Sequence, residues 1–508
     1  MHHSGTPAKA RADQILSEPT LDMVLLDGSS ELDRELVGGK AWAINHMRRL
    51  GLAVPPAFTL DTNVCLRTLE QGVLPEAAIS ALKRGIAHLE AATQRNFGGT
   101  TRPLLVSVRS GAARSMPGMM DTVLNVGANA ATISALEVEA GRELAHDISQ
   151  RFRAQFAHVV GSEAPQDPFA QVVAAATAVF RSWTSPRART YRRHHGLSDQ
   201  GGTAVTVQAM VFGNIDNLSG TGVLFSRNPL TGAPTVHGEW LPRAQGEDVV
   251  SGKVSPRPLS ELAAAQPAVH RELVAAAARL ERDAGDVQDI EFTVESGRLW
   301  LLQTRAAKRS AEATVRIAVA LWREEMITSD EALARIAPTD VAAMLRPRVA
   351  VEAARSAVVV ASGQPACPGI GCGVVVATAD EAVEQADAGR DVVLATPTTS
   401  PDDVHGMVAS VAIVTELGGS TSHAAVVSRE LGRPAVVGCG PGSLAGLIGK
   451  EVTVDGGAGL VYAGLLPVVE PCSQNDPDLT QLAFWAGASD INDLPALLTQ
   501  KTPRSDGR

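Results

Sequence analysis

The chain has 508 residues, 45% of them hydrophobic and 20% charged, with a formal net charge of −10. That length exceeds one compact core and predicts two to four domains, while the composition excludes extended disorder and a coiled coil. An acidic balance without a basic stripe leaves no match for a nucleic-acid backbone and no polybasic membrane anchor.

The first residues, MHHSGTPAKARADQ, carry no hydrophobic stretch of signal-peptide length, and no later window holds the roughly twenty apolar residues of a spanning helix. A cytoplasmic location is the expectation. Cys65, Cys367, Cys372, Cys439 and Cys472 are odd in number and scattered, which suits free thiols. Cys367 and Cys372 flank Pro368, Gly369 and Gly371 with no second ligand pair, so they read as loop residues and not a zinc site.

In chain order, Leu36–Thr59 reads as a glycine-rich turn, a helix over Ala41–Leu50 and an extended segment at Ala53–Pro56. Leu104–Val108 is a β-branched strand that stops at Arg109-Ser110-Gly111, where a loop opens into Ser115-Met116-Pro117-Gly118-Met119-Met120-Asp121-Thr122. Helical periodicity runs from Ser134 to Arg193 through Phe152, Phe156 and Val159, then Phe169, Val172, Ala176 and Phe180. Strands are expected at Ala204–Phe212, Gly222–Phe225, Ile290–Val294 and Leu299–Gln303. Residues 308–350 return to helical spacing, and Val358–Ala361 opens a second strand-bearing unit that ends in a hairpin over Glu451–Tyr462. The fold class expected is α/β and multidomain. The last forty-one residues after Pro467 are enough for one or two helices.

Three constellations carry chemistry. In Gly418-Gly419-Ser420-Thr421-Ser422-His423-Ala424-Ala425, a strand ends in glycines and then hydroxyls and one imidazole begin a helix. Helix N-termini hold phosphoryl groups electrostatically, and neutral imidazole attacks phosphorus to give a phosphoramidate that passes the group onward. His423 is thereby a candidate covalent carrier; a lone histidine would more often be structural, and it is the surrounding ten residues that reverse this. Second, Gly38-Gly39-Lys40 before a helix and Arg109 after a strand offer close approach to phosphates and neutralising charge, although each alone is ordinary turn chemistry. Third, alternation puts Asp289 and Glu291 on one strand face, and a hairpin turning at Gly297 brings Gln303 and Arg305 alongside. Hard oxygen ligands of this kind suit Mg²⁺ shared with nucleotide phosphates, and Arg305 can clamp a transferring phosphate. The competing reading is an exposed strand face studded with charges.

The string GGSTSHAAVVSRELGRPAVVG resembles the swivelling phosphohistidine domain of the PEP-utilising enzymes. The segments VGGKAWAINHMRRLGLAVPPAF, LLVSVRSGAARSMPGMMDTVLNVG, SGTGVLFSRNPLTG, AQGEDVVSG and DIEFTVESGRLWLLQTR resemble, in the same order, the ATP-grasp domain of the pyruvate phosphate dikinase family. This resemblance implies an N-terminal tail over 1–20, an ATP-grasp nucleotide-binding domain over 21–307 with a helical insert at about 130–200, and a helical linker over 308–355. A swivelling β/α phosphohistidine domain over 356–467 and a C-terminal tail over 468–508 complete the expected order. It implies His423 as the phosphorylated residue, with Arg109 and Arg305 acting in phosphoryl transfer. ATP binding falls to Lys40, Arg109, Arg151, Glu239, Glu247, Asp248 and Asp289, Mg²⁺ ligation to Glu291 and Gln303, and candidate regulation to Thr421. The stretch from Val160 to Gln166-Asp167-Pro168 is shorter than the family's usual insert, and the family's large pyruvate-binding barrel is expected to be absent.

The expected reaction is that of the family's N-terminal half, in which ATP and inorganic phosphate give phosphohistidine, AMP and pyrophosphate. A separate pyruvate/PEP-binding barrel protein or another carrier would then take the group. Two other functions fit parts of the sequence. A small-molecule phosphotransferase of the rifampin type also pairs an ATP-grasp domain with a swivelling histidine, but only residues 306–350 are left for its acceptor pocket. A non-catalytic regulatory remnant of a dikinase would not be expected to retain Lys40, Arg109, Glu291, Gln303 and His423 together. The final acceptor and the oligomeric state are not legible in the sequence.

Overall fold

The computed structural model describes residues 22–114, 116, 119–246, 248, 256–345, 348–349, 351–469 and 476–501. The described chain divides into two compact units, one running to Gly51 and resuming over Pro55–Met210, the other taking Leu52–Val54 and everything from Val211 onward. Among the described residues no helix is long and apolar enough to cross a membrane.

The first unit is built on a five-stranded antiparallel sheet in the order Met23–Leu25, Ala57–Leu60, Ala204–Ala209, Val106–Gly111, Thr122–Val126. Its strand at Ala57 starts later than the extended segment read at Ala53–Pro56, because Pro55 and Pro56 have no N–H to give to a ladder. Arg109 belongs to a strand and not to a loop: the ladder continues through Gly111, pairing Arg109 with Thr206 on one side and Thr122 on the other. The helix expected over Ala41–Leu50 begins earlier, at Arg34, and is broken at Gly38. The helices Ala130–Ala140, Arg142–Val160, Pro168–Ser182 and Pro186–His194 account for the periodic region, with Phe152, Phe156, Val172, Ala176 and Phe180 buried. Asp167 caps the third of these, accepting from the N–H groups of Phe169 and Ala170.

The second unit holds two large sheets, besides a two-stranded ladder of Arg348–Val349 with Val468–Val469. One is antiparallel, in the order Arg257–Pro258, His237–Pro242, Gly220–Phe225, Gln288–Glu295, Arg298–Ala306. The other has eight strands, and its centre is parallel through Ile370–Val376, Val392–Thr396, Ala412–Thr415 and Ala435–Val437. Helices between these strands fit the β/α pattern, since parallel strands need crossovers. Cys367 and Cys372, read as loop residues, end one strand and sit within the next, on either side of a turn at Pro368-Gly369. Between the two sheets, the helices Ala311–Arg323, Ser329–Ala334 and Pro338–Met344 share an apolar core with the C-terminal helices Pro477–Ala486 and Leu494–Lys501. Trp322 and Trp485 meet edge to face there at 4.8 Å.

Candidate functional site

The hairpin of Gln288–Glu295 and Arg298–Ala306 places Asp289 opposite Arg305 and Glu291 opposite Gln303. Ser296 and Gly297 both have positive φ, 48° and 80°, as a tight hairpin turn requires, and a bulge between Glu291 and Phe292 then shifts the ladder by one residue. Arg305 donates from Nε to Asp289 Oδ2 at 2.8 Å. Asp289 is 4% exposed, and its other oxygen, Oδ1, has no hydrogen-bond partner. Burial pushes the Asp289 carboxyl above its usual range, and the Arg305 guanidinium opposes this. A buried, unpartnered carboxylate oxygen beside a Glu and a Gln is a set of hard donors that fits a cation such as Mg²⁺.

In the same unit the strand Ala412–Thr415 feeds the turn at Gly418 and the helix His423–Leu431. Ser422 caps that helix, its hydroxyl accepting from the Ala425 N–H. His423 Nδ1 lies 3.1 Å from Thr399 Oγ1. Burial holds the imidazole below its ordinary pKa, against a smaller opposing pull from Asp403, so the ring is neutral at neutral pH. Just before it, the Ser420 N–H and hydroxyl donate to Glu239 Oε1 at 2.8 and 2.9 Å, and the Thr421 hydroxyl donates to Oε2 at 2.5 Å. His237, also held below its ordinary pKa by burial, stands 3.1 Å from the Ser420 hydroxyl through Nε2. Glu239 and His237 share the His237–Pro242 strand.

Arg429, nearly two turns further along the His423 helix, is 5% exposed and donates from Nη1 to the Ala366 carbonyl at 3.1 Å. Burial lowers its pKa to about 10, while Cys367, Asp289 and Glu239 act to raise it. Neither Thr399 nor Arg429 was singled out from the sequence. Thr399 sits among Pro397, Thr398, Ser400 and Pro401, which read as turn residues, and Arg429 reads as one more solvated helix charge.

Lys40 and Arg109 lie together in the first unit. Gly38 has φ +78°, and a Cβ there would meet the Gly111 carbonyl oxygen at 1.8 Å. The Gly39 N–H donates to the Ala112 carbonyl at 2.9 Å. The glycine turn is thus seated on the end of the Arg109 strand, and only glycine fits. Arg151 lies on the Arg142–Val160 helix and donates to Asp147 at 2.8 Å across one turn. Asp248 accepts from the Gln245 N–H at 3.0 Å, closing a local turn. Glu247 lies outside the described residues, as do Ser115, Pro117 and Gly118 of the methionine-rich loop, and Cys472.

An ATP-binding fold ahead of a histidine-bearing β/α domain defines the class, a PEP-utilising enzyme with a mobile domain. Residues 73–271 match the pyruvate phosphate dikinase AMP/ATP-binding domain, and residues 388–459 match the mobile domain of PEP-utilising enzymes. The pyruvate, phosphate dikinase of Rhizobium meliloti is 40% identical over 91% of this chain and 59% of its own length. That of Clostridium symbiosum is 38% identical over 85% and 56%, and the chloroplastic enzyme 1 of Zea mays 37% over 92% and 56%. The chain belongs to the pyruvate phosphate dikinase family through these two domains, and it spans a little under three fifths of the length of the relatives it matches.

Proposed function

We propose that this chain carries out the nucleotide half of a dikinase reaction, loading a phosphoryl group from ATP onto His423. The observation that carries it is the pairing of His423 Nδ1 with Thr399 Oγ1 on a ring kept neutral by burial. When Nδ1–H donates to the threonine, the lone pair is on Nε2, the nitrogen that attacks. Two bonds form, Nε2 to phosphorus and an oxygen of inorganic phosphate to the other phosphorus, and both phosphoanhydrides of ATP break. With inorganic phosphate accepting the other phosphoryl group, the balance is ATP and phosphate to phospho-His423, AMP and pyrophosphate.

Nucleotide binding is proposed, by resemblance, for Lys40, Arg109 and Arg151, and likewise for Asp289, Asp248 and Glu247. Glu291 and Gln303 would hold Mg²⁺, whose charge offsets that of the phosphates when it is bound. Arg305, steered by Asp289, would face the transferring group, so the protein supplies position and charge. Delivery to pyruvate, through a barrel on this or another polypeptide, is proposed from the name of the relatives. Regulation at Thr421 fits the same loop, since its buried hydroxyl must first leave Glu239 to be modified.

Intact-mass measurement after exposure to Mg-ATP and phosphate tests this reading. The expected result is gain of one phosphoryl group in acid-labile, base-stable form, none in His423→Ala, and loss of the group on adding pyruvate with a barrel-bearing partner. Wild-type protein that stays unmodified overturns it.

A further inference from the structure

Glu239 was read from the sequence as a nucleotide contact, yet its carboxylate is occupied by the loop that precedes the candidate phosphoryl carrier. Both oxygens accept, with three donor groups from Ser420 and Thr421 within 2.5–2.9 Å. Charge-assisted bonds of this kind are the strong ones, and they are made away from water, Glu239 being 5% exposed. An independent observation comes from Gly419. A Cβ added there would lie 2.4 Å from Glu239 Oε1, and the three nearest heavy atoms all belong to the Glu239 carboxylate. Gly419 has no positive φ to demand glycine; the nearest obstacle to a side chain is the carboxylate. His237 extends the contact to the Ser420 hydroxyl from the same strand, and the buried Arg429 guanidinium interacts electrostatically with the carboxylate.

We infer that Glu239 is a positioning residue that seats the Gly419–Thr421 loop, and with it His423, on the His237–Pro242 strand, Gly419 being left bare to admit its carboxylate. The inference rests on His423 being the phosphoryl carrier. It makes the loop a three-point plug and Glu239 its socket, so that a mobile domain docks in one register. Departure of the domain then requires both the Ser420 and Thr421 bonds to break together, which makes release a cooperative step.

The test compares wild type, Glu239→Ala, Gly419→Ala and the double variant, by hydrogen exchange of the peptide spanning the loop and by rapid-quench phosphorylation of His423 from Mg-ATP and phosphate. The Ser420 N–H is shared with Gln364 Oε1 at 3.1 Å, so the readout is made in a Gln364→Ala background, where either single change is expected to speed exchange of the loop by about tenfold or more. The maximal phosphorylation rate should fall by a similar factor with the KM for ATP unchanged. The double variant should be no worse than Glu239→Ala, because the added methyl then meets no carboxylate. Unchanged loop exchange, additive losses, or a raised KM for ATP in Glu239→Ala would each overturn the inference. If Glu239→Ala fails to fold, Glu239→Gln keeps the volume, puts donors against donors and takes its place. Exchange needs no turnover, so a protein that never phosphorylates His423 still reports whether the plug is seated, and the two ideas fail separately.

Discussion

Thr399 Oγ1 stands 3.1 Å from His423 Nδ1 and so pairs with the ring nitrogen opposite the one proposed to attack. A hydroxyl can donate or accept, but only the arrangement with Nδ1–H donating leaves a lone pair on Nε2. Thr399→Val removes that preference without changing the shape of the site. The expected result is a fall of roughly tenfold to a hundredfold in the rate of histidine phosphorylation, on the scale of losses seen when a histidine loses its orienting partner. Thr399→Ser should restore most of it. A valine variant with the wild-type rate would remove the threonine from the proposal.

The neutral imidazole sets the pH dependence. Burial holds His423 below its ordinary pKa of 6.5, so the nucleophile loses its lone pair to a proton only below that pH. A plot of phosphorylation rate against pH should stay level through 6.5 and fall at lower pH. The stability term has the matching sign. From pH 6.5 down to the depressed folded pKa, the unfolded chain takes up a proton that the folded site refuses, so stability falls with pH in that window and is unaffected above it. His423→Ala should flatten this part of the stability curve. A rate profile whose acid limb has its midpoint above 6.5 would show that the ring is not desolvated.

How much of this was legible in the sequence depends on what each feature needed. The hairpin of Gln288–Glu295 with Arg298–Ala306 follows from alternation and a glycine at the turn, both local, but the turn alone would set Glu291 opposite Leu302; a bulge after Glu291 shifts the ladder by one residue and brings Gln303 and Arg305 opposite Glu291 and Asp289. The Glu451–Asp455 and Leu460–Ala463 hairpin was local in the same way. The His237–Pro242 strand was not, since glycine, proline and two titratable side chains in six residues disguise it, and only its place between two other strands makes it one. Thr399 lies 24 residues from His423 in the chain, and Glu239 lies 181 and 182 residues from Ser420 and Thr421. No periodicity reports a contact over such separations. Likewise, nothing in Leu479, Leu482 or Leu494 says that they pack on the helix Ala311–Arg323.

Gly38 is where a feature proposed to bind nucleotide and a folding requirement coincide. Its φ of +78° is strained for any L side chain, and a methyl there would sit 1.8 Å from the Gly111 carbonyl oxygen. Neither backbone can yield without moving Lys40 away from the end of the Arg109 strand. Gly38→Ala is expected to cost about 2–4 kcal/mol of stability and to raise the KM for ATP. Thermal melting and nucleotide titration check the two parts. Gly51→Ala is the control: Gly51 also has positive φ, but nothing lies within 4 Å of an added Cβ. Its cost should be the conformational one alone, about 1 kcal/mol. Equal losses in the two variants would mean that the contact with Gly111 is not what selects glycine.

Arg227 is a buried charge just past the end of the Gly220–Phe225 strand. Its guanidinium donates to Glu281 at 2.7 and 2.9 Å and to Glu324 at 2.6 and 2.7 Å, while the Ser226 hydroxyl donates to Glu281 as well. Glu324 is half exposed and can turn to water, but Glu281 is buried on the Pro267–Ala284 helix and cannot. Arg227→Met therefore strands one carboxylate and not two, and is expected to destabilise the unit by about 3 kcal/mol, within the range for breaking a buried pair. Removing both charges in Arg227→Met/Glu281→Met should recover most of that loss, because the penalty comes from the unpaired anion more than from the missing attraction. Urea unfolding of the three proteins measures it. A double variant as unstable as the single one would mean that the guanidinium matters for its shape, filling space among the helices, and not for the charge it answers.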